Sequence, residues 1–426
     1  MSKKLFSRDF TLVVIGQIIS LFGNATIRFA LPLYLLNLTG SAALYGAVTA
    51  CAFIPSVLLS PVGGIVADRV NKRNIMVALD FFTAAVILAF SLLMDGVNVV
   101  ALLTVTLMLL YGIAGAYQPS VQASIPALVN EENYMAANSV VNVINSLSSL
   151  TGPAIGGVLY SAYGLKPVLW VCIGCFFLSA VMEIFIRIPF QKQPSGGGLW
   201  RTVKGDFTES FRFITKEEPA VGKGLLFVCG INLFLSAMIN VGMPYLITEV
   251  LDLGTRQPNQ LYGFAAAVLA AGGLAGGMCV GILSGKLVIQ KSGNLLIWCA
   301  VCVFPMGISL LIFQEGMINY LVMISCCFVI MVLSTIFSVQ VISFVQARTP
   351  SSLIGKVIAV MLTISMCANP LGSMLYGFLF EAAVGKEFAV VWFAGAASLL
   401  IAVGAKNIFK KLSQTAGVTP GEQPIY

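Results

Sequence analysis

Histidine is absent from all 426 residues. That excludes a histidine-centred proton relay, an imidazole zinc cage and a histidine-ligated haem. Charge is scarce as well. Asp, Glu, Lys and Arg make up 10% of the chain, against about 25% in an ordinary soluble domain. So few ionic groups cannot solvate a globule of this length, which excludes a soluble enzyme, a nucleic-acid binder and a disordered scaffold. No G-x-x-x-x-G-K-[ST] phosphate loop occurs, so ATP hydrolysis within the chain is not expected. The ten cysteines lack polar flanks. All of them, including the CxxC pairs Cys172/Cys175 and Cys299/Cys302, fall inside apolar runs and read as small buried apolar residues, not as zinc or redox thiolates.

Apolar residues are abundant, at 58% of the chain. They lie in long unbroken runs, whereas barrel strands would alternate over about ten residues. A membrane-crossing helix needs roughly 20 such residues. Runs of that kind occupy 11–38, 43–66, 75–94, 99–122, 139–162 and 168–189, then 221–250, 260–285, 294–313, 318–345, 357–384 and 388–405. The first run is too long for a signal-peptide core. The pattern predicts an all-α integral membrane protein of twelve transmembrane helices in two six-helix halves. The halves are 1–189 and 221–405, joined by a cytoplasmic linker over 190–220 and followed by a tail over 406–426.

Basic residues fix the orientation. With the N-terminus inside, twenty Lys and Arg fall on inner segments and three (Lys166, Arg256, Lys386) on outer ones, with Arg28 inside span 1. That asymmetry is the positive-inside pattern and predicts cytoplasmic termini. In the linker, Trp200, Val203, Phe207, Phe211 and Ile214 recur at helical spacing among Arg201, Lys204 and Arg212, the pattern of an interfacial amphipathic helix.

The halves are pseudo-symmetric. Leu44-Tyr45-Gly46 matches Leu261-Tyr262-Gly263 at an offset of 217, as Gly64 and Arg69 match Gly281 and Lys286. Val121 to Pro126 matches Val345 to Pro350, and Pro153 with Leu159-Tyr160 matches Pro370 with Leu375-Tyr376. Two related six-helix halves with a site between them is a transporter architecture.

Gly64 to Arg73 reads G-x-x-x-D-R-x-x-K-R, with Asp68, Arg69, Lys72 and Arg73 as its charged members. This resembles the loop signature of the major facilitator superfamily, except that Asn71 stands where the family has glycine. Gly64 permits close helix approach. Asp68 can accept bonds from Arg69, Arg73 or another helix end, making a charged lock on one of two rigid-body states. An ordinary positive-inside loop explains the basic residues but not Asp68 or the glycine. Gly152-Pro153-Ala154-Ile155-Gly156-Gly157 in span 5 resembles the motif of the superfamily's exporters; its small-xxx-small face equally suits close packing. Gly273, Gly277, Gly281 and Gly285 in span 8 read as a packing stripe.

Ionisable residues inside spans are candidates for function. Arg28 lies about 25 Å along span 1, at a different depth from Asp80 in span 3. Asp80 belongs either to the Asp68 lock or to a proton site. Glu183 has Arg187 four residues on, the spacing of a local ion pair. Glu249 ends span 7. The resemblance implies that spans 1 and 7 face each other, which makes an Arg28–Glu249 bridge an expectation. It also implies substrate contacts on spans 1, 4, 7 and 10, where Gln17, Asn24, Arg28, Tyr111, Tyr117, Gln118, Asn232, Asn240, Tyr245, Thr335, Ser338 and Gln340 are available. Span 4 lacks the arginine that many proton-coupled drug exporters of the superfamily carry.

The N-terminal third, from Arg28 through Gly40-Ser41-Ala42 to Asp80, resembles the macrolide-efflux (Mef-type) branch, near enterobactin-type siderophore exporters. The resemblance implies a secondary active exporter of amphipathic small molecules working by alternating access, with proton coupling expected. Export of a siderophore or other endogenous metabolite is the alternative, and a non-transporting membrane protein the third reading. The expected partners are a small amphipathic substrate, protons and the lipid bilayer of the cell membrane. No cofactor, metal, nucleic acid, enzymatic activity or obligate protein partner is expected.

Overall fold

A computed structural model describes residues 6–130, 133–188, 199–254, 257–283, 292–350 and 353–415, with the backbone alone at some helix ends, 60–69 among them. Every regular element among the described residues is helical. The first six helices are α1 (Arg8–Thr39), α2 (Ala42–Arg69), α3 (Lys72–Leu93), α4 (Val99–Leu128), α5 (Tyr134–Tyr163) and α6 (Leu165–Ile184). Local chemistry sets their ends. Ser7 caps α1 by accepting from the Phe10 amide at 3.3 Å, and Gly40, at φ 62°, closes it in the left-handed conformation that favours glycine. Asn71 caps α3, its side chain accepting from the Arg73 amide at 3.0 Å. The departure from the family's glycine is therefore a helix cap.

The remaining helices are α7 (Leu199–Arg212), α8 (Pro219–Ile231), α9 (Ala237–Tyr245), α10 (Pro258–Leu283), α11 (Ser292–Val301), α12 (Val303–Ile312), α13 (Gly316–Arg348), α14 (Ile354–Ala382) and α15 (Glu387–Thr415). The span expected over 221–250 is one continuous rod in which α8 and α9 are joined by a π-helical turn at Asn232–Ser236 and followed by another at Leu246–Val250. The span over 294–313 is interrupted at Cys302, between α11 and α12. Helix α15 continues to Thr415, past the point where the apolar run ends.

Eleven stretches of helix are long and apolar enough to cross a membrane among the described residues. The twelfth expected span is present as α5, a 30-residue helix. It falls outside the eleven because Asn138, Asn142, Asn145 and five serines dilute its apolar content. Large apolar side chains on the spans face outward, Trp170 at 56%, Leu226 at 70%, Ile282 at 83% and Leu400 at 76% exposure. Their helices have the length to carry these side chains through hydrocarbon, so the solvent for these faces is lipid.

The chain divides into two compact units. The first comprises 1–40, 47–199 and 257–267, and the second 41–46, 200–256 and 268–426. In the first unit α1 lies against α5 and α6, and α3 against α4 and α6. Its core is apolar, with Ile27, Leu31, Phe90, Leu107 and Phe176 all buried. In the second unit α15 packs on α11 and α12, and α14 packs on α8 and α9. The linker segment leads into this unit through a π-helical turn, Phe213–Glu217, whose Phe213 and Ile214 are buried.

Candidate functional site

The first unit holds a buried polar cluster among α1, α3, α4 and α6. Helix α1 presents Gln17, Ser20, Asn24 and Arg28 at three- and four-residue spacing, so they share one face over about 16 Å. Helix α6 reaches that face closely because Gly23 has no side chain; a methyl there would sit 3.1 Å from Cys175 Cβ. The same seam is tied by Ser179 Oγ, which donates to the Gly16 carbonyl at 3.1 Å. This close approach brings Glu183 of α6 to the Gln17 end of the stripe.

Two chains of hydrogen bonds follow. Gln17 Nε2 donates to Tyr117 Oη at 2.7 Å, and Tyr117 Oη donates to Glu183 Oε1 at 2.7 Å. Ser20 Oγ donates to Asp80 Oδ1 at 3.1 Å. All five side chains are buried, Gln17 and Glu183 completely. Neither carboxyl has a Lys or Arg partner among the described residues. Three oxygens of the cluster, Gln17 Oε1, Asp80 Oδ2 and Glu183 Oε2, receive no hydrogen bond. A cavity of about 20 Å³ lies beside Asp80, lined also by Ser20, Asn24, Thr83, Tyr117 and Gln118. That is room for about one water molecule.

Further along the stripe, the Arg28 guanidinium lies over the Tyr111 ring, 3.6 Å from its centroid. This contact suits arginine, whose planar head stacks on aromatic faces. The structure therefore gathers Asn24, Arg28, Tyr111 and Gln118 on the facing sides of α1 and α4, with Asp80 and Glu183 at the Gln17–Ser20 end. Glu183 is not the partner of Arg187 that local spacing suggests. It turns inward to Tyr117, while the Arg187 amide donates to Asp9 Oδ1 at 3.1 Å. Asp80 likewise joins Ser20 of α1.

Of the lock residues, Gly64, Asp68 and Arg69 fall on the last turns of α2, where the side chains lie outside the described residues. Lys72 and Arg73 open α3, and Arg73 Nε is buried without a partner. The span 5 motif is a packing surface. A methyl at Gly152 would run into Ala25 of α1, one at Gly156 would come to 3.2 Å of Thr26 Cγ2, and one at Gly157 to 2.9 Å of Gly263 Cα. Pro153 stands between them on the same helix. The glycine stripe of α10 needs correcting. The close contacts belong to Gly272 and Gly276, on the Phe328 and Val332 carbonyls at 2.8 and 2.7 Å, whereas a methyl at Gly277 would meet open space and one at Gly273 only Thr335 Oγ1 at 3.8 Å. Gly285 lies outside the described residues.

In the second unit a cavity of about 200 Å³ opens among α8, α13 and α14, lined by Val228, Ile231, Phe337, Val341, Met361 and Leu362 with Asn232, Ser334, Ser338 and Ser365 as its polar members. Asn232 begins the first π-helical turn and donates to the Ser365 carbonyl at 3.0 Å. Such turns free backbone groups and are frequent at functional sites. Asn240 donates to Asn369 Oδ1 at 3.2 Å. Gln340 is buried on α13 with Oε1 unpartnered, and Glu249 accepts from Thr248 Oγ1 at 3.0 Å. Sequence reasoning missed Ser20 and Ser179, because a serine in an apolar helix carries no signal that separates it from one bonding its own backbone. The helical register with Gln17, Asn24 and Arg28 could have found Ser20.

Comparisons with known proteins agree with this architecture. Residues 13–373 match the family model described as Major Facilitator Superfamily. Macrolide efflux protein A of Streptococcus pyogenes is 25% identical over 407 residues, covering 91% of this chain and 92% of that protein. The multidrug efflux pump Tap of Mycobacterium tuberculosis is 23% identical over 378 residues, 87% of each. Among solved structures, the nucleoside transporter NupG superposes with a TM-score of 0.74 at 12% identity, over 95% of this chain and 100% of that one. A bacterial homologue of the iron transporter ferroportin gives 0.70 at 18% identity, over 95% and 98%. With a family model spanning most of its length and a fold shared with solved transporters, the chain belongs to the major facilitator superfamily and is an integral membrane transporter.

Proposed function

We propose that this transporter exports amphipathic small molecules of the macrolide or multidrug class from the cytoplasm by alternating access, driven by the proton gradient across the cell membrane. It moves its cargo without covalent chemistry, and both termini are cytoplasmic. The observation that carries this reading is the chemistry of the two linings. One unit offers a cation–aromatic pair, Arg28 on Tyr111, with the amides of Asn24 and Gln118. The other offers a largely apolar cavity with a few hydroxyl and amide groups. A cargo with a bulky apolar body and scattered polar substituents matches both. Two relatives, one named as a macrolide efflux protein and one as a multidrug efflux pump, aligned along most of the chain, support the direction of transport.

The carboxyls Asp80 and Glu183 supply groups able to take up a proton inside the spans, a role such residues commonly have. They stand apart from the Arg28–Tyr111 pair, so cargo and proton need not compete for one group. Asp68, with Arg69, Lys72 and Arg73, is assigned to the lock that biases the conformational equilibrium. Glu249, which accepts from Thr248 in the second unit, is kept as a further candidate for coupling.

The test is accumulation of a labelled macrolide in an efflux-deficient host, with and without an uncoupler, using Asp68→Asn as the paired variant. Lower accumulation that requires both Asp68 and the proton gradient is expected. Unchanged accumulation, with the protein folded and in the membrane, rejects macrolides as cargo and turns the search to endogenous metabolites such as siderophores.

A further inference from the structure

The buried cluster of the first unit is short of hydrogen-bond donors. Gln17, Ser20 and Tyr117 each give one donor to the network, yet three acceptor oxygens remain bare at Gln17 Oε1, Asp80 Oδ2 and Glu183 Oε2. Buried polar atoms are nearly always satisfied, and each one left bare costs about 1–3 kcal/mol. A proton added to a carboxyl removes one bare acceptor and creates one donor. The cluster therefore has a built place for protons.

Among the described residues no fixed cation supplies that compensation. Helices α4 and α5 carry no Asp, Glu, Lys or Arg. On α6 the other charge is Lys166, paired with Asp95 at 2.7 Å and about 25 Å along the helix from Glu183. On α1 the charges are Arg8 and Asp9 in the first turn and Arg28, which is engaged by Tyr111. On α3 they are Lys72 and Arg73, the latter about 10 Å along the helix from Asp80. Tyr117 is the titratable group of α4 in the cluster and lies within electrostatic reach of both carboxyls. Among the described residues, two acidic groups and one phenol thus face each other without a base.

The two carboxyls differ in access. Asp80 lines the water-sized cavity together with Tyr117 and Ser20, whereas Glu183 and Gln17 do not line it and are completely buried. We infer that Glu183, held by Tyr117, and Asp80, held by Ser20, together form the proton-binding site of this transporter, with Asp80 as the member that meets water and Glu183 as the buried store. The stoichiometric event is association of a proton from cavity water with a carboxylate oxygen, and its release to water again. Tyr117 and Gln17 are positioning residues, since they orient Glu183 and are not themselves the proton carriers. The inference rests on the proton-driven reading above.

Two measurements on the full chain in lipid nanodiscs and proteoliposomes test it. Infrared difference spectra across a pH titration should show a protonated-carboxyl stretching band that is lost in Asp80→Asn/Glu183→Gln and shifted in Tyr117→Phe. In proteoliposomes, Glu183→Gln should retain macrolide counterflow, which needs no proton gradient, and lose uphill transport driven by an imposed pH gradient. Absence of a titrating band altered by these substitutions overturns the inference. Retention of gradient-driven transport in the double variant overturns it as well, and leaves the export reading standing. A titrating band in a wild-type protein that moves no macrolide supports the proton site while rejecting that cargo. Transport driven by a sodium gradient and abolished in Glu183→Gln would overturn the proton assignment in favour of a monovalent cation.

Discussion

Tyr117 is the hinge of the polar cluster at the residue scale, because its hydroxyl both accepts from Gln17 and donates to Glu183. Tyr117→Phe keeps the ring and strips both partners at once, so it should destabilise the folded protein by about 1–2 kcal/mol. The melting temperature of the purified protein reads this directly, and an unchanged value would deny the network any energetic weight. Arg28 and Tyr111 form a separate pair two turns of α1 further on. A double-mutant cycle with Arg28→Ala and Tyr111→Leu should return a coupling of about 0.5–2 kcal/mol; additive losses would mean that the stacking contributes nothing. The sequence made these residues visible one at a time. Gln17, Asn24 and Arg28 stand out as polar groups in an apolar run, and so do Asp80 and Glu183. Their partnership was not visible, since Tyr117 and Glu183 are 66 positions apart and Ser20 and Asp80 are 60 apart. The local i,i+4 neighbour Arg187 was the pairing that spacing alone could offer, and tertiary packing of α6 on α1 overrode it.

Helix packing here is decided by which glycines meet a neighbouring backbone. Periodicity marks a stripe of glycines on α10 but not its angular position relative to α13, which is why the pattern points to 273 and 277 while the close contacts fall on 272 and 276. Gly276→Ala would press a methyl against the Val332 carbonyl at 2.7 Å and Thr335 Cβ at 2.8 Å, at a cost of about 1–3 kcal/mol. Gly277→Ala has open space and should gain about 0.5–1 kcal/mol from helix propensity. Thermal unfolding of the two single variants compares neighbours in one helix, and equal effects would contradict the packing described. The twelve apolar runs were legible because hydrophobic length is a strong signal. The π-helical turns around α9 were not, because nothing in the residue pattern of Asn232–Ser236 distinguishes five-residue from four-residue backbone bonding. Asn71 was legible as a departure from the family pattern, and its reason emerged with the cap it makes on α3.

Across the whole molecule, charge asymmetry and the repeat predict an orientation and two six-helix halves, while the cargo is written in no single motif. The distribution of basic residues predicts that a cysteine at position 164, between α5 and α6, reacts with an impermeant thiol reagent from outside intact cells, and one at position 216 does not. Both would be made in a chain whose ten native cysteines are replaced. The reverse pattern would invert the topology and reassign the Asp68 loop to the outer face. The central claim, proton-driven export of an amphipathic compound, is tested most directly in proteoliposomes. Labelled macrolide uptake into vesicles holding inside-out protein would be followed with an imposed inward-acid pH gradient, with the gradient collapsed, and with Asp68→Asn under the gradient. The account predicts accumulation above equilibrium in the first case and none in the other two. Accumulation that persists after the gradient is collapsed, or never rises above equilibrium in the wild type, would contradict it.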